Sequence, residues 1–396
     1  MESHDITPDL LFEILSRTPL QTLGKCRLLS KECNNLTYES RFMQLHSART
    51  RTLSGFFVQS LRRNKYNSTF VSIENPHDSK LISLDFLPHP VKIEACSKQG
   101  IMLCSSQYPH ETQYYICKPS SKQWQVLPNP NPQCSTERIA MIVLRLNPLR
   151  FKIVRFSKPE PEHDLMFDAY PSTLQCEIFY SRDWSWKQSV KVKLPFYERL
   201  GLKPAISVSN QLHWLTSERN VFSFDMEKER WELFPLPNPL CESEHCNYVE
   251  IVEYEGKLGS IFMKEGHGVE IWVMDEHSKK KWRKRHVMDM EDLEREESIS
   301  CAEAFYNSDV ALIKGFYKVI FYKFKNGHCD VVRLEEQMFA SQVFFFQSDW
   351  EPTDLRGKKQ SSSRALSLPL GQSMIAVVLF LFLIFLLSFV NDMISW

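Results

Sequence analysis

The sequence predicts a small all-α module at the N-terminus, an all-β propeller-like domain after it, and a hydrophobic helix at the C-terminus. Three observations carry this reading. Residues 6–46 place apolar side chains at helical spacing behind repeated capping signals. Residues 55–350 break into short aromatic and β-branched runs separated by polar turns, several of them alike. Residues 373–390 form one uncharged apolar run.

Composition bounds the function classes. With 43% hydrophobic and 24% charged residues over 396 positions, the chain is globular rather than disordered. Lysine plus arginine equals aspartate plus glutamate at 48 each, so no global field draws it to nucleic acid. Phenylalanine reaches 27 against 12 glycines, which favours sheet. Eleven cysteines accompany an N-terminus bearing Glu2, Asp5 and Asp9 in place of a basic signal region. Reduced thiols in cytosol or nucleus are the expectation.

The helical module is read first. Thr7 can cap a helix with Pro8 at its first position, where a missing N–H costs nothing. Leu10, Leu11, Ile14 and Leu15 then make one apolar face. Thr18-Pro19 repeats the signal for a second helix carrying Leu20, Leu23 and Leu28. Ser30 caps a third, and a short fourth runs through Phe42 and Leu45. Helices this short need tertiary or partner contacts.

Pro8-Asp9-Leu10, Glu13-Ile14-Leu15, Pro19, Leu23, Cys26-Arg27, Ser30-Lys31, Leu36, Phe42 and His46 resemble an F-box in order and spacing. The resemblance implies binding to the small adaptor of an SCF-type cullin–RING ubiquitin ligase and, through it, to cullin. Residues matching the family's adaptor-contacting pattern are Pro8, Leu10, Ile14, Leu15, Pro19 and Leu23. Departures are Cys33, where many members have tryptophan, and Ile6-Thr7, where a leucine usually precedes the proline.

The middle of the chain repeats one shape. YYICKPSSKQWQVLP (114–128), EIFYSRDWSWKQSV (177–190), VFSFDMEKERWELFPLP (221–237) and VEIWVMDEHSKKKWRKR (269–285) each read as a hairpin, and VIFYKFKNGHCDVV (319–332) keeps the shape without tryptophan. Trp124, Trp186, Trp231 and Trp282 are spaced by 62, 45 and 51 residues. A period near 40–50 is that of propeller blades, whose sheets bury their faces only against neighbours. Such tryptophans read as packing between blades rather than ligand stacking. Together with SLDFLPHPVKIEA (83–95) and GIMLCSS (100–106), the units resemble the kelch-like F-box-associated domain of plant F-box proteins. Departures fall in turns, at Lys98-Gln99 and at Lys118-Pro119-Ser120-Ser121.

Sites for chemistry are sparse. Cys241, His245 and Cys246 cluster within six residues, but no second ligand pair follows, so no metal and no cofactor are expected. No GxSxG, Walker loop, HExxH or GxGxxG occurs, and no catalytic residue is assigned. Lys279 to His286 is a dense basic run at a hairpin turn, read as solvated and offset by Glu291, Asp292, Glu294, Glu296 and Glu297.

After the polar stretch GKKQSSSR (357–364), Met374–Val390 spans 17 residues, about 25 Å as a helix. The run is too long for a strand and lacks a polar face, which predicts a tail anchor. Arg356, Lys358, Lys359 and Arg364 on its N-terminal side place the bulk of the protein in the cytosol. The alternative is a soluble chain of cytoplasm and nucleus. The expected organisation is an F-box at 1–50, a propeller at 55–350, a linker at 351–372 and an anchor at 373–390. The expected function is a non-catalytic receptor that holds the adaptor and presents an unidentified substrate protein. A membrane-tethered interaction scaffold without ligase role is the alternative.

Overall fold

Phe56 and Phe57 show how the β-rich region is built. Successive side chains of a strand point to opposite faces of the sheet. Here both faces are covered: Phe56 joins a cluster with Leu312, Val319 and Phe321, while Phe57 joins one with Met102, Cys104 and Tyr115. A sheet buried on both sides reads as a continuous apolar run, which is why the sequence shows little alternation here. The structure, a computed structural model, describes residues 7–63, 65–73, 82–107, 112–159, 173–237, 246–264, 268–276, 280–289, 301–315, 317–334 and 342–356.

Four helices come first: α1 (Pro8–Leu15), α2 (Leu20–Leu29), α3 (Lys31–Thr37) and α4 (Ser40–Thr50). Thr7 caps α1, its Oγ1 accepting from the Leu10 N–H at 3.4 Å, and Ser30 caps α3, accepting from the Cys33 N–H at 3.0 Å. Thr18 does not cap α2 as the sequence suggested. Pro19 takes that position without a side-chain acceptor, and Thr18 Oγ1 instead donates to the Ile14 carbonyl at 2.9 Å.

Twenty-three described strands make six sheets. The closing blade orders β23 (Gln342–Ser348), β1 (Leu53–Arg62) and β2 (Lys65–Ser72). Blade 1 holds β3 (Lys92–Cys96), β4 (Met102–Gln107), β5 (Thr112–Lys118) and β6 (Gln123–Val126). Blade 2 holds β7 (Cys134–Leu146), β8 (Leu149–Pro159), β9 (Thr173–Tyr180) and β10 (Ser185–Lys193). Blade 3 holds β11 (Ile206–Val208), β12 (Gln211–Leu215), β13 (Asn220–Asp225) and β14 (Arg230–Pro235). Blade 4 holds β15 (Cys246–Tyr254), β16 (Lys257–Lys264), β17 (Gly268–Glu276) and β18 (Lys281–Asp289). Blade 5 holds β19 (Cys301–Phe305), β20 (Val310–Lys314), β21 (Lys318–Lys323) and β22 (His328–Arg333).

The result is a six-bladed β-propeller. Each blade meets the next through its own apolar cluster, and six such clusters run around the ring. Inner strands adjoin around a channel: β3 lies against β7 and β23, β15 against β11 and β19, and β19 against β23. The ring closes by pairing β1 with β23, from Leu53↔Ser348 to Gln59↔Gln342. Lys118, buried at the end of β5, fastens the exit of β23 by donating to Asp349 and to the Glu351 carbonyl at 2.5 Å each.

The five repeated units of the sequence are the third and fourth strands of five consecutive blades. Trp186, Trp231 and Trp282 pack into the clusters between blades, and Trp186 Nε1 donates to the Pro128 carbonyl of the neighbouring blade at 2.7 Å. Trp124 departs from the expectation: it is 42% exposed on the outermost strand, edge-on to Tyr115.

The expected tail anchor is corrected. No helix among the described residues is long and apolar enough to cross a membrane. The longest, α4, has 11 residues, about 16 Å against a hydrocarbon core of ~30 Å. Residues 373–390 lie outside the described residues. Hydropathy measures the tendency to leave water and does not establish a spanning helix. The expected hydrophobic C-terminal helix and membrane localisation therefore find no support in the structure.

Candidate functional site

The helices first make a core of their own. Leu15, Leu23 and Phe42 are buried together, with Leu11, Phe12, Cys26, Cys33 and Leu36 packed around them. Phe12 meets Phe42 edge-on at 5.4 Å, and Phe42 stacks on His46 at 5.8 Å. His46 Nε2–H donates to the Thr18 carbonyl at 2.8 Å, and burial lowers the pKa of this imidazole. Arg49 and Arg17 both reach the Glu13 carboxylate, 2.8 and 2.7 Å away, and their hydrogen bonds hold its pKa below the usual range.

The six residues matched to the adaptor-contacting pattern divide by exposure. Pro8 and Pro19 are exposed, Leu10 is 51% exposed, and Ile14 is half-buried. Leu15 and Leu23 lie inside the helical core. The structure thus sets Leu10 and Ile14 one turn apart on α1 with Pro8 at its start, and places Leu15 and Leu23 in the core beneath.

The opposite side of this module is fixed to the propeller. Lys98, at the β3–β4 turn, donates to Tyr38 Oη at 3.1 Å and forms an ion pair with Glu253 at the end of β15. Burial works against the charge of Lys98, but the Glu253 carboxylate outweighs it, and the ammonium pKa lies above the ordinary value. Arg27 lies over the other side of the contact, its guanidinium 4.4 Å from the Tyr38 ring centroid. Asn34 Nδ2 donates to the Glu255 carbonyl at 3.4 Å. Gly256, at φ 74°, completes that turn, and a Cβ there would stand 3.4 Å from Tyr38 Oη. In blade 5, Ser40 Oγ donates to Asp309 at 3.1 Å and accepts from Asn307 Nδ2 at 3.0 Å. Met43 enters the cluster between blade 5 and the closing blade. Blades 1, 4 and 5 and the closing blade therefore hold α3, α4 and the turn between them.

This docking covers one end of the channel. Leu20, Lys25, Arg27 and Tyr38 line a cavity of about 540 Å³ with residues of the inner strands. Deeper in, Lys203 Nζ lies 2.8 Å from both Glu250 and Glu303 and 2.5 Å from Tyr248 Oη. The two carboxylates differ. Burial raises the pKa of Glu250 despite Lys203. Burial pushes Glu303 upward too, but Lys203 and Lys314 together bring it below the usual range. At the other end the channel opens into a groove of about 950 Å³.

No group of three or more metal-ligating side chains occurs among the described residues. Cys241 and His245 lie outside them. The basic run sits at the outer edge of blade 4. Arg283 and Arg285 reach Asp275 at 3.0 and 3.4 Å, Lys284 reaches Glu270 at 3.0 Å, and Lys280 pairs with Glu232. Offsetting carboxylates thus come from strands beside it. Charged edge strands of this kind resist pairing with other chains.

A family model for the F-box domain matches residues 4–44, and one for the F-box associated beta propeller domain matches residues 55–350. The chain belongs to the F-box proteins with an F-box associated beta propeller. Among relatives of this F-box protein in Arabidopsis thaliana, F-box protein At5g41720 is 39% identical over 38% of this chain and 84% of its own length. F-box protein At5g49610 is 23% identical over 69% of this chain and 76% of its own. F-box protein CPR1 is 23% identical over 69% and 70%. Residues that sequence reasoning did not single out for docking the F-box are Tyr38, Glu253, Asn307 and Asp309. Lys98 was visible only as a departure from the family's turn.

Proposed function

We propose that this F-box protein is the non-catalytic substrate-recognition subunit of an SCF-type ubiquitin ligase. The observation that carries the reading is the two-sided use of the F-box: α3 and α4 are held by the propeller, while α1 turns Pro8 and Leu10 outward. Pro8, Leu10, Ile14 and Pro19 would contact the adaptor, with Leu15 and Leu23 setting the curvature beneath them. Cullin would be reached through the adaptor, and the propeller would hold the target. Ubiquitin transfer is then accelerated by proximity, with no residue of this chain in the chemistry.

The test is co-purification. Wild type is expected to recover adaptor and cullin, and Leu10→Asp to lose both while its thermal melt is unchanged. Equal recovery by the two proteins would sink the ligase reading.

A further inference from the structure

The groove at the open end of the channel is lined by inner strands of blades 1 and 2 and by the start of β2 in the closing blade. Five lysines and arginines line it against two carboxylates, Glu94 and Glu137. Most of these charges are matched. Lys92 lies 2.8 Å from Glu94, and Arg155 lies 2.5 Å from the buried Glu177. Lys203 is shared by Glu250 and Glu303, and Glu137 is taken by Lys158 at 3.2 Å. Two cations remain, Lys65 and Arg138. No carboxylate among the described residues pairs with either.

Arg138 owes its place to a bulge. β7 shifts register against β8 between Thr136 and Arg138. Glu137 and Arg138, which a regular strand would send to opposite faces, therefore both line the groove. The half-buried guanidinium bonds only to carbonyls: Nε donates to Gly201, Nη1 to Glu137 and Nη2 to Leu200 at 2.7 Å. A guanidinium has five N–H donors, so two are left over among the described residues. Burial lowers its pKa, although Glu137 and Glu94 pull the other way. Carbonyl dipoles solvate such a cation but leave its charge uncompensated. Lys65, at the head of β2, is exposed and has no partner among the described residues.

We propose that this groove holds an acidic segment of the target protein, with one carboxylate on Arg138 and another at Lys65. The inference rests on the reading of the chain as a substrate receptor. A carboxylate would give Arg138 the counter-charge it lacks, through charge-assisted hydrogen bonds to its remaining N–H groups. The two cations belong to the closing blade and to blade 2, and Glu94 lies on blade 1 between them. A continuous polyanion would bring phosphate against Glu94 and Glu137, whereas a peptide can set neutral residues there. With 48 basic and 48 acidic residues, the whole chain adds no broad field that would favour a polyanion.

The probe is a displayed pool of random twelve-residue peptides selected on the full-length protein. Enriched peptides are expected to carry two or more aspartates or glutamates separated by neutral residues, and to bind less tightly as salt is raised. They should bind Lys65→Glu about tenfold more weakly, and changing one of their acidic residues to lysine should restore that affinity. Leu10→Asp should bind them unchanged. Lys65→Glu should keep the wild-type thermal melt. Arg138→Gln should weaken binding likewise; if it also melts lower because the loop carbonyls lose their donor, Lys65→Glu still decides. Selection of basic or uncharged peptides, no enrichment, or equal affinity for wild type and Lys65→Glu would each overturn the proposal. So would displacement of the peptide by single-stranded DNA of equal charge, which would assign the groove to a polyanion. Adaptor recovery, measured on the same preparations, separates the two readings. Failure of the wild type to recover adaptor, with peptide selection intact, refutes the ligase role and leaves the groove standing.

Discussion

Replacing Lys98 by methionine should loosen the F-box from the propeller and, at the same time, remove an ion pair that joins blade 1 to blade 4. The ammonium lies between Glu253 and Tyr38 Oη, and the side chains of the ion pair are 28% and 20% exposed. A charge-assisted contact this shielded is worth about 1.5–3 kcal/mol, above the 0–1 kcal/mol of a surface pair. Taking ~2 kcal/mol, and ~2.1 cal/mol/K of unfolding entropy per residue over ~350 residues, the melting temperature should fall by about 3 °C. Lys98→Met, Glu253→Gln and the double variant close a cycle in which a coupling of about 1–2 kcal/mol is expected. Hydrogen exchange locates the effect: protection should fall in α3 and at the β15–β16 turn and stay level in blades 2 and 3. The pH dependence has a definite sign. Because the folded pKa of Lys98 is raised, its contribution is complete below the ordinary lysine value of ~10.4 and is lost only as pH rises through the higher folded value. Stability should therefore be flat in this respect between pH 6 and 9. Additive single variants, or exchange rising evenly around the ring, would refute the reasoning.

Other positions give sharper contrasts. Trp231→Ala, which removes a ring stacked on Phe222 between blades 2 and 3, should cost about 3 kcal/mol by denaturant titration, whereas the exposed Trp124→Ala should cost under about 1 kcal/mol. Glu303 contributes stability that is present above its unfolded pKa and lost as pH falls through its depressed folded value. Glu303→Gln should accordingly flatten the loss of stability below about pH 4.3 in acid titrations. Glu250→Gln should not, because the raised pKa of Glu250 has the opposite sign. Gly256→Ala forces a side chain into φ 74° against Tyr38; a loss of about 1–2 kcal/mol is expected in chemical unfolding.

The propeller was legible because its signal repeats. Five third-and-fourth-strand hairpins share a pattern of aromatic residues and polar turns, and each copy supports the others. The closing blade repeats nothing recognisable, since β23 and β1 stand 280 positions apart in the chain and neither alone resembles a hairpin. The F-box helices were legible through Thr7, Pro8 and Ser30, whose capping is local. Thr18 misled because its hydroxyl donates to the Ile14 carbonyl behind it, whereas that of Thr7 accepts from the Leu10 N–H ahead. The docking of the F-box could not be read: Tyr38, Lys98, Glu253 and Asp309 acquire meaning only when three separated turns converge. The tail misled for another reason. Its apolar run met the length and hydropathy of an anchor, and no described helix bears it out.

The closing blade also orders events during synthesis. Among the described strands its inner one is the last made, and its outer two precede every other blade. Until residue 348 leaves the ribosome, Phe56 and Phe57 have no β23 to pair beside, and blades 1 and 5 each keep an uncovered apolar face. A chain stopped a few residues short would hold five complete blades and still be an open arc. Such fragments expose apolar surface of the kind that chaperones and proteases act on, so a propeller closed in this way is protected only once it is whole.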